Sequence, residues 1–184
     1  MAFQTVWFET EIPKEIVDII ERDCIEFNNS ARPAETMDGV DLKTRDSKTS
    51  WMPDHHWVTN FVMSYVIKAN KSNWQYDVDA VDGGNMQYTI YEEGQYYHWH
   101  IDAGVDALEQ DAVRKLSVVL QLSNYDEYEG GEFQMLNEQG KLYMAPKKRG
   151  TLIIFDSRCR HRIRPIKSGV RKSLVGWITG PRWK

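Results

Sequence analysis

Apolar residues recur at helical spacing in two early stretches and at every second position later in the chain. Residues 13–28 place Ile16, Ile19, Ile20, Cys24 and Phe27 along one side, with Glu15, Asp18, Glu21 and Arg22 on the other. This spacing predicts an amphipathic helix, with Pro13 suited to its first turn and Asn28-Asn29 as its stop. Residues 30–53 are polar and read as irregular. A second helix is predicted from about Pro53-Asp54 to Ala69, with Trp57, Phe61, Val62, Tyr65, Val66 and Ala69 on its apolar stripe. From residue 84 short β-rich runs alternate with turn signals. They are residues 86–91, 96–101, 116–122, 132–136, 141–144, 151–155, 161–166 and 173–178. About eight short strands with Gly, Asn or Pro between them predict a mainly β fold, an antiparallel sandwich or jelly roll. The helices that precede the strands are expected to pack on the outside of one sheet.

The length of 184 residues suits one domain. A helix-rich support over 1–85 and a catalytic β core over 86–180 are expected within it. A chain of this size buries roughly 70 % of its unfolded surface, so neither metal nor disulfide is needed for folding alone. The net charge of −4 argues against a protein built to grip nucleic acid. No stretch approaches the apolar length of a membrane span. The N-terminus lacks a basic segment followed by an apolar run, so no signal peptide is expected. Cys24 and Cys159 show no disulfide spacing and read as reduced thiols of a cytoplasmic protein.

The segment from Tyr97 to Asp102, YHWHID, concentrates possible metal ligands. Strand alternation would point His98, His100 and Asp102 the same way. A lone His-x-Asp is a common accident, and a third ligand must come from elsewhere. His161, just after a strong strand, is the best candidate. Two imidazoles and one carboxylate leave three adjacent positions open, the arrangement of non-haem iron(II) sites that admit O₂ and an organic co-substrate. His98 competes, since His98, His100 and His161 would make a three-histidine set. His55-His56 reads as surface or helix cap.

The neighbourhood decides between these readings. Tyr91-x-x-Gly94-x-x-Tyr97-x-x-His100-x-Asp102 is followed by a strand running from Arg114 to Ser123. Then come Tyr128-Glu-Gly-Gly-Glu132-Phe133, Gly150-Thr-Leu-Ile-Ile-Phe155, His161, Pro165, Gly169, Arg171 and Trp177. In this order, over roughly residues 86–180, the chain resembles the prolyl-hydroxylase-like (prolyl 4-hydroxylase) 2-oxoglutarate oxygenases. The spacing of ten residues from His161 to Arg171 is that of the family. The resemblance implies a cupin-like double-stranded β-helix with Fe(II) held by His100, Asp102 and His161. It implies Arg171 as the partner of the distal carboxylate of 2-oxoglutarate, aided by the Tyr91 hydroxyl and by Ser173. Collagen-type members carry Lys at the Arg171 position, so Arg leans toward the oxygen-sensing and bacterial branches. Gln121 stands where some relatives have a Tyr facing the co-substrate. Asp102 separates the chain from related halogenases, which lack that carboxylate.

Other positions carry two readings each. Tyr97 and Trp177 line the substrate mouth or belong to an aromatic core. Arg114 contacts substrate or lies on the surface. Gly130-Gly131 is a tight turn required by backbone geometry. Asp126, Glu127 and Glu129 form a solvated loop or a lip favouring a basic peptide. The activity implied is hydroxylation of a C–H bond with O₂ as oxidant, succinate and CO₂ as co-products, and ascorbate as a possible reductant. A prolyl residue in a peptide or protein is the first substrate choice, and a free amino acid or small metabolite the second. Nucleic-acid demethylation is disfavoured by the charge and by the residues after Arg171, which lack the R-x-N-x-x-x-x-R signature. A non-catalytic, cupin-like metal-binding protein is the alternative outside enzymes. Compact chains of this kind are typical of bacteria and their phages, and a prokaryotic cytoplasm is expected by analogy.

Overall fold

The computed structural model describes residues 7–35, 39–103 and 112–183. Strand β1 (Trp7–Glu11) precedes helix α1 (Lys14–Ser30), and short strands β2 (Arg32–Pro33), β3 (Arg45–Asp46) and β4 (Lys48–Trp51) precede helix α2 (Trp57–Ser72). Then follow β5 (Gln87–Tyr91), β6 (Tyr96–His100), β7 (Ala112–Gln121), β8 (Tyr128–Gly130) and β9 (Phe133–Leu136). The last five strands are β10 (Leu142–Met144), β11 (Thr151–Asp156), β12 (His161–Ile163), β13 (Ile166–Gly169) and β14 (Arg171–Pro181).

The strands form the two facing sheets of a jelly roll. The larger runs β1-β11-β7-β14-β5-β4-β2 and the smaller β10-β9-β12-β6-β3, all paired antiparallel, with β13-β8 as a separate ribbon. Period-two alternation divides each strand of the large sheet between two environments. Tyr88, Ile90, Leu116, Val118, Leu120, Leu152, Ile154, Leu174 and Ile178 face the helices. Against them pack Val17, Ile20, Cys24 and Phe27 of α1 and Val58, Val62, Val66 and Ala69 of α2. The opposite face of the same strands, with Val119, Ile153 and Phe155, meets Phe133, Met135 and Ile163 of the small sheet. The helices therefore cover one sheet from outside, as the sequence predicts, and leave the space between the sheets to the site. No helix among the described residues is long and apolar enough to cross a membrane.

Several expectations are corrected in detail. The stretch read as irregular contains β2, β3 and β4, too short and polar to show periodicity; they are strands because β5 offers an edge to β4, β4 one to β2, and β6 one to β3. β1 likewise pairs along the outer edge of β11. Helix α2 starts at Trp57, because His55 has a φ of 60° that no helix accepts, and His56 caps it by accepting from the Val58 amide at 3.4 Å. The run 161–166 breaks into β12 and β13 at Arg164-Pro165, since proline cannot donate to a ladder. Ile19 is exposed and Val17 takes its expected place in the core. At Gly130 and Gly131 φ is 76° and 61°, and an added Cβ at Gly130 would strike the Pro165 carbonyl, so backbone geometry does require this pair.

Candidate metal and co-substrate site

The small sheet supplies two imidazoles as direct register partners: His100 on β6 lies opposite His161 on β12. Their ring centroids are 4.1 Å apart. His100 Nδ1 lies 2.7 Å from the His98 carbonyl and His161 Nδ1 lies 2.9 Å from the Cys159 carbonyl. A carbonyl only accepts, so both Nδ1 atoms carry the proton and both Nε2 atoms present lone pairs. These lone pairs converge on Asp102, whose carboxylate oxygens lie 3.6 Å from His100 Nε2 and 3.5 Å from His161 Nε2. Just past the end of β6, Asp102 and Ala103 donate their backbone N–H groups to the Ser157 carbonyl, at 2.9 Å each, which fixes the turn carrying the carboxylate. The potential ligand atoms of the three residues all lie within 4.8 Å of one another.

The electrostatics favour metal over proton. Burial, reinforced by His161, pushes the His100 imidazole down to about 3, so it is neutral at physiological pH. Burial opposes ionisation of Asp102, but the two imidazoles and the Ser117 hydroxyl outweigh it and hold the carboxyl below its ordinary value. A buried carboxylate facing two imidazole Nε2 atoms is a donor set that a cation completes.

His98 does not join the set, contrary to simple alternation. Between the pairs His161–His100 and Ile163–Tyr97, β6 advances three residues while β12 advances two. This β-bulge turns Tyr97 and His100 to the same side, where their rings stack at 3.5 Å. His98 is left exposed against Tyr96, and Trp99 stacks under Arg162 on the outer face. His55 is exposed and His56 serves as helix cap, as expected.

Arg171 opens β14 and is 1 % exposed. Its Nη2 donates to Gln121 Oε1 at 2.8 Å and its Nη1 to Ser173 Oγ at 3.3 Å. Among the described residues its Nε has no hydrogen-bond partner, and neither has the buried Tyr128 hydroxyl nearby. Tyr91 is its register partner on β5, with the guanidinium 5.6 Å from the ring centroid. Arg171, Ser173, Val175 and Trp177 alternate inward along β14 and line a cavity together with Tyr91, Tyr97, Val119, Phe133, Ile163 and the His100, Asp102, His161 cluster. Tyr97 and Trp177 thus both face the cavity. Arg114 is held beside it, ion-paired to Asp82 at 2.8 Å with its guanidinium 4.2 Å from the Trp177 ring. Glu127 accepts from the Asn124 amide within its own turn and Glu129 pairs with Lys167, so these two acids are engaged locally on the surface.

Sequence reasoning missed Arg45, Gln87 and Tyr128. Arg45 and Gln87 line the cavity, but Arg45 lies in the stretch read as irregular. Tyr128 was legible only as part of a glycine-turn motif. Its position beside Arg171 follows from the β8–β13 pairing, which sequence spacing does not reveal.

Jelly rolls that gather two imidazoles, one carboxylate and a buried arginine between their sheets form the class of 2-His-1-carboxylate iron proteins. Residues 86–179 match the 2OG-Fe(II) oxygenase superfamily, and the chain belongs to it. Within that superfamily its fold is prolyl-hydroxylase-like. Among curated relatives, the PKHD-type hydroxylase of Synechococcus sp. (strain CC9902) is 38 % identical over 89 residues, 47 % of this chain and 37 % of the relative. The PKHD-type hydroxylase of Idiomarina loihiensis is 30 % identical over 88 residues, 48 % of this chain and 38 % of the relative. The chain therefore spans less than half the length of these relatives. In fold it is similar to a Pseudomonas putida prolyl-4-hydroxylase, with a TM-score of 0.76 and 21 % identity over 96 % of this chain and 93 % of that one. It is also similar to a prolyl hydroxylase from Trichoplax adhaerens solved with a hypoxia inducible factor peptide, with a TM-score of 0.79 and 16 % identity over 94 % and 83 % of the two chains.

Proposed function

We propose that this chain is a 2-oxoglutarate- and Fe(II)-dependent dioxygenase that hydroxylates a C–H bond, with a prolyl residue of a peptide or protein as its first substrate choice. The observation that carries this reading is a buried guanidinium with an unsatisfied Nε, set in the same cavity as a convergent His-Asp-His cluster. His100, Asp102 and His161 fit iron(II), since their donor atoms face one another and their protonation leaves lone pairs inward. Bound there with 2-oxoglutarate, Fe(II) supplies O₂ activation, so that one oxygen atom enters succinate, formed with loss of CO₂, and the other enters the substrate as a hydroxyl group.

The chain's own residues bind, orient and exclude water. Arg171 pairs its fork with the distal carboxylate of 2-oxoglutarate, a charge-assisted contact that removes the cost of a buried cation. Gln121 and Ser173 hold two arms of that fork in place, and the Tyr128 and Tyr91 hydroxyls add neutral donors. Val119, Phe133, Ile163 and Val175 keep the cavity walls apolar and water out. The stack of Tyr97 on His100 fixes the imidazole plane. The prolyl substrate is supported by the family branch and by the peptide held by the Trichoplax protein of similar fold. A cytoplasmic setting and ascorbate as reductant belong to the same reading.

The test is anaerobic titration of the iron(II) protein with 2-oxoglutarate, followed by succinate assay in air. A visible charge-transfer band and succinate formation are expected, both reduced by Arg171→Ala. Failure of wild-type protein to bind 2-oxoglutarate would overturn the reading. Mass spectrometry of proline-containing peptides, scored for enzyme-dependent addition of one oxygen atom, then tests the substrate.

A further inference from the structure

A second guanidinium stands in the cavity. β3 pairs with β6 so that Arg45 lies opposite Tyr97, and both side chains turn inward. Arg45 is 6 % exposed. Its Nε donates to Ser47 Oγ at 3.0 Å and its Nη2 to Gln87 Oε1 at 2.8 Å, and its guanidinium lies 4.8 Å from the Tyr97 ring centroid. Every one of these partners is neutral. Among the described residues no carboxylate is within ion-pair distance of Arg45. Burying a cation without an anion is costly.

The position of Arg45 separates it from the co-substrate anchor. Gln87, which holds it, is the register partner of Val175. Val175 lies four positions along β14 from Arg171, roughly 13 Å of extended strand. Gln87 is also the register partner of Trp51, whose ring lies 6.1 Å from Trp177. Arg171 therefore occupies the inner end of the cavity. Arg45 flanks the Tyr97–His100 stack toward the tryptophan pair.

Charge balance, on the proposed reading, leaves a gap. Iron(II) brings two positive charges and the two guanidiniums one each. Asp102 and the two carboxylates of 2-oxoglutarate bring three negative charges. Both 2-oxoglutarate carboxylates are already engaged, one at Arg171 and one at the metal. One positive charge remains without an anion, and Arg45 carries it.

We infer that Arg45 receives a carboxylate of the primary substrate, held beside the C–H bond to be hydroxylated. The fork, oriented by Ser47 and Gln87 and backed by Tyr97, suits a carboxylate better than a neutral peptide bond. The carboxylate comes from a free α-carboxyl group, as in an amino acid or a chain terminus, or from an Asp or Glu side chain next to the reacting residue. This inference rests on the oxygenase reading above.

The experiment uses paired probes: L-proline and L-prolinamide, Gly-Gly-Pro as free acid and as C-terminal amide, and acetyl-Asp-Pro-amide with acetyl-Asn-Pro-amide. Binding to the anaerobic iron(II)–2-oxoglutarate protein is read from the visible band and from tryptophan fluorescence. Turnover is read as succinate above the probe-free rate. At least one acidic member should bind at least tenfold tighter than its neutral partner, and which pair responds identifies the source of the carboxylate. Arg45→Gln should abolish that preference, raising KM more than it lowers kcat, and Arg45→Lys should restore part of it. Wild-type pairs that behave alike, including acidic members that fail to bind, overturn the inference, and this comparison needs no variant to fold. A preference that survives Arg45→Gln also overturns it. If the wild-type visible band never forms with 2-oxoglutarate, the oxygenase reading itself has failed, which is a distinguishable result.

Discussion

Arg171 and Gln121 are joined by a 2.8 Å hydrogen bond between two nearly inaccessible side chains, at the position where some related proteins carry a tyrosine. The amide oxygen restrains one arm of the fork without neutralising it, leaving the charge for an anion. Gln121→Leu removes that restraint and leaves a buried N–H unsatisfied, at a cost of about 1–3 kcal/mol. We expect 2-oxoglutarate affinity, measured anaerobically by titration, to fall about tenfold in Gln121→Leu and further in Arg171→Ala. Equal affinity in wild type and Arg171→Ala would remove Arg171 from the co-substrate site.

Asp102 and His98 should behave oppositely. Asp102→Ala and His161→Ala each delete a convergent donor, and isothermal titration should show Fe(II) or Co(II) affinity lowered at least a hundredfold. His98→Ala removes an exposed ring outside the cluster and should leave metal affinity within about twofold. The reverse ranking would favour the three-histidine set.

Asp156 ties the β11 turn to the segment after α2. Its carboxylate accepts from the Tyr76 hydroxyl at 2.6 Å and from the Arg158 amide and guanidinium. Burial alone would raise this carboxyl, but the donors from Arg158 and Tyr76 win and hold it below 3.8. A carboxyl lowered in the folded state stabilises fully above its unfolded value, and that contribution fades as pH falls through the folded value. Asp156→Asn should cost about 2 kcal/mol in urea unfolding near pH 7. The difference from wild type should shrink below pH 4, and a constant difference down to pH 2 would contradict this account.

Cys24 and Cys159 are both buried and unpaired, and burial pushes each thiol up to about 12. The thiolate is the reactive form. At pH 8 neither thiol should react with a disulfide reagent over minutes in the folded protein, and both should react promptly in guanidinium. Rapid labelling of the native protein would mean that one of them is reached through local opening.

Gly169 has a φ of 78°, and an added Cβ would run into the Glu127 carbonyl. Gly169→Ala should destabilise by at least about 2 kcal/mol, read from the urea midpoint. It should also loosen the β8–β13 ribbon that carries Tyr128.

Legibility followed the strength of local pattern. The buried runs of β7, β11 and β14 announced themselves because both faces are covered, and α1 because its apolar stripe is regular. The candidate metal set was legible because His100, Asp102 and His161 lie on or beside strong strands in a recognisable order. Arg45 was not, because β3 is two residues long and becomes a strand only by pairing with β6. His98 was misplaced because alternation assumes an unbroken pleat, and nothing in YYHWH marks the extra residue.

That surplus residue makes the inward aim of His100 a matter of counting as much as of chemistry. Removing one amino acid between Tyr97 and His100 would restore an even ladder with β12. Tyr97 and His100 would then stand two positions apart and share a side by alternation alone. A one-residue slip of β6 against β12, by contrast, would turn the imidazole to the other face. Insertions and deletions in this five-residue strand that force such a slip should therefore be as damaging as replacing the histidine itself.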